Sequence, residues 1–191
     1  VCTNRFYAQA GIYDAFVEKL AAATRKLKLG SGLEAGVTQG PLIDDKALAK
    51  VEEMVADAKA KGGTVATGGK RSELGLSFYE PTVIAGATSA MQFAREEIFG
   101  PVAPVFRFET EAEALRLAND TEYGLACYFY TRDLGRTFRV SEALQYGIVG
   151  VNEGLVTTEV APFGGVKESG LGSEGSKYGL QDYLDVKYTC I

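Results

Sequence analysis

Ala103-Pro104-Val105-Phe106-Arg107-Phe108-Glu109-Thr110-Glu111-Ala112-Glu113-Ala114-Leu115-Arg116-Leu117 passes from a strand to a helix in one uninterrupted run. Residues 103–108 alternate as a strand does. Thr110 then stands where a helix needs an N-cap, and Glu113 completes a capping box for a helix through Leu117. Beyond it, Cys127–Thr131 reads as a strand, Leu134–Leu144 as a helix and Gly147–Asn152 as a strand. Working back, Val1–Gln9 ends in a short strand. Ile12, Phe16, Leu20, Ala23 and Leu27 then mark one face of a helix stopped by Gly30 and Gly32. Asp44 is the N-cap expected for a second helix, which Gly62-Gly63 terminates after Lys61. Thr64–Thr67 is a short strand. Tyr79–Ile84 is another, and its Pro81 makes it an edge or irregular piece. Helices alternating with strands predict an α/β domain with a mainly parallel sheet. The end differs: Leu184, Val186, Tyr188 and Cys190 alternate with Asp185, Lys187 and Thr189. That is a terminal strand of the kind that pairs with another sheet or subunit.

The chain has 191 residues and 46% hydrophobic composition, enough for one sizeable buried core. No apolar run approaches the roughly 20 residues that span a bilayer. Val1-Cys2-Thr3-Asn4-Arg5 leads straight into an amphipathic pattern without a signal peptide, and the lack of an initiator Met places the expected natural start upstream. A net charge of −5 without a basic cluster argues against nucleic acid as a partner. Histidine is absent, so these residues alone build neither a Ser-His-Asp nor a Cys-His device, and no His-ligated metal site. Cys2, Cys127 and Cys190 lie far apart without a CxxC. This spacing disfavours zinc and a disulfide framework, and fits a reducing, cytoplasmic compartment.

Gly170-Leu171-Gly172-Ser173-Glu174-Gly175 matches GxGxxG by letter. A dinucleotide fingerprint needs a strand just before it and an acid about 20 residues later. Gly164–Ser169 is no strand and the sequence ends too soon, so glycines that let backbone pass close to a site are the better reading. In Glu96-Glu97-Ile98-Phe99-Gly100-Pro101-Val102 an acid opens a rigid turn. A carboxylate there can accept both hydroxyls of a ribose or be a solvated loop charge, and the residues leave both open. Asn119–Ala126 reads as turn chemistry leading into a buried strand. Phe163 lines a pocket or plugs a core, and Thr157-Thr158 read as loop hydroxyls.

Three of these segments, Glu97–Val102, Asn119–Ala126 and Pro162–Gly175, occur together and in the order of the aldehyde dehydrogenase superfamily, which the whole chain resembles. Gly147–Asn152 and Gly175–Gly179 with Tyr183-Leu184 look like the succinate-semialdehyde branch. The resemblance implies the C-terminal part of such an enzyme: residues 1–168 as catalytic domain, 169–183 as a connecting segment and 184–191 as an oligomerisation strand of a homo-oligomer, a homotetramer. The family's nucleophilic cysteine would fall immediately before Val1, with its general base, oxyanion-hole asparagine and coenzyme loop also upstream. Cys2 matches the second cysteine of that segment and is expected to act as a redox brake on the nucleophile. Glu97 resembles the glutamate that holds the nicotinamide ribose. Phe99 is similar to the residue packing beside it, and Leu125 to the leucine touching the nicotinamide ring. Phe163 resembles a wall of the substrate tunnel, Thr157 a hydroxyl residue near the substrate carboxylate, and Glu174 an acid that orders water near the general base. The implied coenzyme is NADP or NAD, and the implied substrate succinate semialdehyde. Glutarate semialdehyde, or a truncated assembly module without catalysis, are the alternatives.

Overall fold

In the computed structural model, which describes residues 3–191, the strand expected at 103–108 lies inside a four-stranded sheet. The strands are Phe6–Gln9 (β1), Thr64–Thr67 (β2), Thr82–Ala87 (β3) and Val102–Phe108 (β4). Their order is β1-β4-β3-β2. β1 and β3 run parallel to β4, and β2 runs antiparallel to β3. A parallel sheet is normally covered on both faces, and the residues of these strands divide accordingly. Val83, Val105 and Ala103 pack with Tyr13, Phe16, Val17 and Leu20 of one helix, Tyr13–Thr24 (α1). Ile84, Val102 and Phe106 point the other way, onto Leu48, Val51, Met54, Val55 and Ala58 of a second, Asp45–Ala60 (α2). Met54 is fully buried, so truncation to Ala would cost about 2–5 kcal/mol. Asp44 caps α2 as expected, its carboxylate accepting from Ala47 N at 2.7 Å.

Two expectations for this unit need correcting. β3 is an interior strand, not an edge. It begins after Pro81, so the missing N–H falls outside the ladder. The buried face of α1 is also turned by about one residue from the stripe read in the sequence: Ile12 and Leu27 are exposed, while Tyr13 and Ala21 are buried. Tyr13 belongs inside because its hydroxyl has partners there. It donates to Val105 O at 2.9 Å and accepts from Gly86 N at 2.6 Å.

A second compact unit runs from Glu111 to Ile191, the first ending at Thr110. It contains Glu111–Asn119 (α3), Tyr123–Gly124 (β5), Ala126–Phe129 (β6), Leu134–Ala143 (α4), Ile148–Val151 (β7) and Val166–Lys167 (β8). β6 and β7 pair in parallel, and β5 and β8 pair antiparallel. Asp133 caps α4 by accepting from Arg136 N at 2.7 Å. Glu111 ties α3 to α4 through Arg136 and Arg139, at 2.8 and 2.7 Å. Hydrogen bonds cross the boundary expected at 168/169. Gly124 N donates to Ser169 Oγ at 2.9 Å, and Phe163 bridges to Glu174. Residues 184–191, expected as a strand, form no ladder in this chain. Leu184, Val186 and Tyr188 are exposed. No helix among the described residues is long and apolar enough to cross a membrane.

Candidate functional site

Glu97 and Phe99 sit on one loop of the first unit, and the loop's shape follows from its two buried ends. Phe93 and Ile98 are buried in the core on the α2 side, while Arg95, Glu96 and Glu97 between them face solvent. The backbone between those anchors is tied at several points. Asn4 Nδ2 donates to Phe93 O at 3.0 Å and to Glu96 O at 3.3 Å, and Asn4 Oδ1 accepts from Ile98 N at 2.9 Å. Lys50 Nζ on α2 donates to Glu97 O at 2.6 Å. The Glu97 carboxylate is exposed and takes no hydrogen bond from the described residues, which leaves its oxygens available to hydroxyl donors. Phe99 holds φ at 52° and is 78% exposed. A left-handed backbone at a bulky residue costs about 1–3 kcal/mol and is a recurring mark of functional sites. The strain turns an aromatic ring outward two residues from Glu97, whose backbone is tied and whose carboxylate is exposed. At Gly100 a Cβ would collide with Val51 of α2, so glycine is required for the loop to lie this close.

Leu125, Thr157, Phe163 and Glu174 belong to the second unit. Leu125 is half-buried in the step between β5 and β6, and its carbonyl accepts from Ile148 N at 3.0 Å. Phe163 and Glu174 are brought together: each N–H donates to the other's carbonyl at 2.8 Å. Directly opposed residues of such a pair put their side chains on the same face. An exposed carboxylate therefore stands beside a half-buried aromatic ring. Thr157 is exposed in an irregular loop. Glu153 shapes that loop by accepting from Gly154 N at 2.8 Å and Leu155 N at 2.9 Å. These contacts hold its carboxyl below the usual carboxylate range.

The glycines of Pro162–Gly175 permit close backbone approach, as the sequence reading expects. Gly164 lies so close to Ser173 that a Cβ would stand 2.8 Å from its Oγ. Gly172 adopts φ 80°, and Asp182 fills the space a side chain there would need. Asp182 also accepts from Ser173 N at 2.9 Å. Contrary to the sequence reading, residues 164–169 do hold a strand, β8, but it is a two-residue, exposed, antiparallel piece, and no α-helix follows Gly170, so the GxGxxG letters do not form a dinucleotide fingerprint.

Cys127 is half-buried, and burial pushes its thiol up to about 12. Burial of this kind disfavours the thiolate, the reactive form of a cysteine. Cys190 is exposed. Cys2 lies outside the described residues. Asn4 and Lys50 are the groups that sequence reasoning did not single out. Their role depends on contacts 47 to 94 residues away in the chain, and no local pattern marks them. Asn119, read as a turn residue, does more than turn: it donates to Ala143 O at 2.8 Å and accepts from Gln145 N at 2.9 Å.

The sequence matches the aldehyde dehydrogenase family over residues 1–189. The chain belongs to that family. It is 61% identical over its full length to the glutarate-semialdehyde dehydrogenase of Pseudomonas aeruginosa, covering 40% of that protein. It is 59% identical to the NADP(+) succinate-semialdehyde dehydrogenase of Escherichia coli, again over all of this chain and 40% of that one. The crystal structure of succinate-semialdehyde dehydrogenase from Burkholderia pseudomallei superposes with a TM-score of 0.98 at 60% identity, over all of this chain and 40% of that chain. This aldehyde dehydrogenase chain therefore spans about two-fifths of the length of these relatives.

Proposed function

We propose that the chain is part of an NADP- or NAD-dependent dehydrogenase that oxidises succinate semialdehyde to succinate. The observation that carries this reading is the match to semialdehyde dehydrogenases at 59–61% identity along all 191 residues. The nucleophilic cysteine, general base and coenzyme-phosphate contacts belong to polypeptide outside these residues, and the working protein is a homo-oligomer. The coenzyme, when bound, accepts the hydride. Glu97 binds its nicotinamide ribose: the carboxylate has free oxygens, and its backbone is fixed on both sides. Phe99 packs beside that ribose, and Leu125 touches the nicotinamide ring. Phe163 forms a wall against the aldehyde chain, Thr157 donates its hydroxyl to the substrate carboxylate, and Glu174 orders water at the site of hydrolysis. Cys2 closes a reversible disulfide with the nucleophile under oxidation. The row Leu184, Val186 and Tyr188, open in this chain, pairs with a second copy.

Glutarate semialdehyde is the second reading, favoured by the Pseudomonas aeruginosa relative at 61% identity. Both substrates present an aldehyde and a terminal carboxylate, so the two readings differ by one methylene, which a pocket distinguishes by only about 1–3 kcal/mol. The test is NAD(P)H formation by the complete polypeptide with succinate semialdehyde, glutarate semialdehyde and an uncharged aldehyde of matched length. The expected order of kcat/KM places succinate semialdehyde first and the uncharged aldehyde last. Equal turnover of all three would refute carboxylate selection, and no coenzyme reduction with any of them would refute the enzymatic reading. Glu97→Gln should slow single-turnover hydride transfer, because a misplaced nicotinamide no longer meets the reacting carbon.

A further inference from the structure

We infer that Asn4 is a positioning residue that fixes the backbone of Glu97 for coenzyme contact, an inference that rests on the reading of Glu97 just given. The conformation of Glu97 is set by two peptide groups, one on each side of its Cα, and both are held. The carbonyl of the preceding group, Glu96 O, accepts from Asn4 Nδ2 at 3.3 Å. The N–H of the following group, Ile98 N, donates to Asn4 Oδ1 at 2.9 Å. The carbonyl of that same group, Glu97 O, accepts from Lys50 Nζ at 2.6 Å. Asn4 Nδ2 adds a third tie, to Phe93 O at 3.0 Å, where the loop leaves the core.

The chemistry asks for an asparagine. One side-chain tip must donate to two carbonyls and accept from one N–H, which is the inventory of a carboxamide. Aspartate keeps the acceptor and sets a negative oxygen against two carbonyl oxygens. Leucine has a similar shape and none of the three bonds. The amide orientation follows from the same network, since the reverse one would face Ile98 N–H with an NH2 and two carbonyls with an oxygen. Asn4 is half-buried in the stretch leading into β1, so it ties the loop to the start of the sheet, while Lys50 ties it to α2. Asn4 makes three hydrogen bonds to the loop and Lys50 makes one, so Asn4 is the principal tie.

The experiment uses the complete polypeptide. Single-turnover hydride transfer, coenzyme Kd, thermal midpoint and the iodoacetamide alkylation rate of the nucleophile are measured for Asn4→Leu, Asn4→Asp, Glu97→Gln and the double variant Asn4→Leu/Glu97→Gln. Displacing a positioned group by an ångström costs about 100-fold in rate. Both Asn4 variants should therefore slow hydride transfer by roughly ten- to 100-fold while the alkylation rate is unchanged. The double variant should be no slower than Glu97→Gln, because Asn4 acts through Glu97. Multiplying effects in the double variant would overturn the inference, as would normal hydride transfer in Asn4→Leu or Asn4→Asp beside a slow Glu97→Gln. Loss of folding in both Asn4 variants would overturn it in favour of a purely structural residue. If Glu97→Gln itself transfers hydride at the normal rate, the ribose reading of Glu97 fails, and the inference with it.

Discussion

Gly147→Ala tests whether the Phe163 loop is held in place by close backbone contact. A Cβ at Gly147 would overlap Gly164 O and stand 2.8 Å from Gly164 C and 3.1 Å from Gly165 Cα. Carbon atoms rest at about 3.5–4.0 Å. The 164–165 backbone must therefore retreat by at least about 0.7 Å, and further at the overlapped oxygen. It cannot do so freely, because Gly164 is itself pressed against Gly172 and Ser173, and Gly165 against Ser169. Overpacking of this kind costs about 1–3 kcal/mol. Its chemical effect should be larger than its effect on stability. Phe163 lies one residue before the displaced peptide and is bonded to Glu174, so both proposed site residues move, and a shift approaching an ångström costs about 100-fold in rate. The assay is kcat/KM for succinate semialdehyde beside a thermal melt of the complete polypeptide. Gly11→Ala serves as the control, since a Cβ there meets nothing within 4 Å and its φ is not positive. The expected outcome is a loss of about 100-fold in kcat/KM with a modest fall in melting temperature, and no change in the control. A Gly147→Ala protein that matches the control in both measurements would refute the argument that this backbone contact sets the loop.

Thr157→Val should raise KM for succinate semialdehyde more than for an uncharged aldehyde, by roughly tenfold for the loss of a charge-assisted hydrogen bond; equal effects on the two substrates would leave Thr157 a loop residue. Peroxide should inactivate the complete polypeptide by taking two electrons and two protons from the nucleophile and Cys2, leaving a disulfide and water. Dithiothreitol should restore activity, and Cys2→Ala should lose that reversibility. Glu111, held by Arg139 and then Arg136, has its carboxyl lowered from 4.5 to about 2. A carboxyl depressed on folding contributes stability above its unfolded pKa, which is lost as pH falls through the folded one. The melting difference between the wild type and Glu111→Gln should therefore be constant above pH 4.5 and shrink between pH 4.5 and about 2. A difference that does not change over that window would sever the link to Glu111.

The sequence is legible where a local signal decides the structure. Asp44 was readable as a cap because capping involves only the next few residues, and Thr64–Thr67 because its flanking glycines bound it. The parallel sheet followed from the alternation of helices and strands, although the alternation said nothing of strand order. That order put β3 inside the sheet, against the edge reading that Pro81 invited. The face of α1 was misread for a related reason. Tyr13 is buried because Gly86 N and Val105 O wait for its hydroxyl, and both are distant in sequence. The site divides the same way. Glu97, Phe99 and Phe163 stand in short motifs, whereas Asn4 and Lys50 act through contacts that only the fold creates. The letters of Gly170–Gly175 warn from the other side, since they imitate a fingerprint whose helix is absent and whose preceding strand is only the two-residue antiparallel β8.

The two units keep their geometry by different means, and this bears on how substitutions will show themselves. The first unit has a sheet covered on both faces, with Val51, Met54, Val83, Phe93 and Val105 removed from solvent altogether. Each such side chain contributes about 1.5–3 kcal/mol, so Glu97 and Phe99 project from a frame that tolerates the backbone strain at Phe99. In the second unit Val140 is the buried large apolar side chain among the described residues, while Leu134, Phe138, Leu155 and Val186 are exposed. A pair of two-stranded ladders with so little burial is marginal by itself. Its loops are set by glycine contacts, by Asp182 on Ser173 N and by Glu153 on Leu155 N. Hydrogen bonds of this kind contribute about 0.5–1.5 kcal/mol each, little for stability and sufficient for direction. Substitutions around Phe163 and Thr157 should thus appear in KM and kcat before they appear in a melt. Substitutions beneath Glu97 must first disturb a packed core, and should lower stability and activity together.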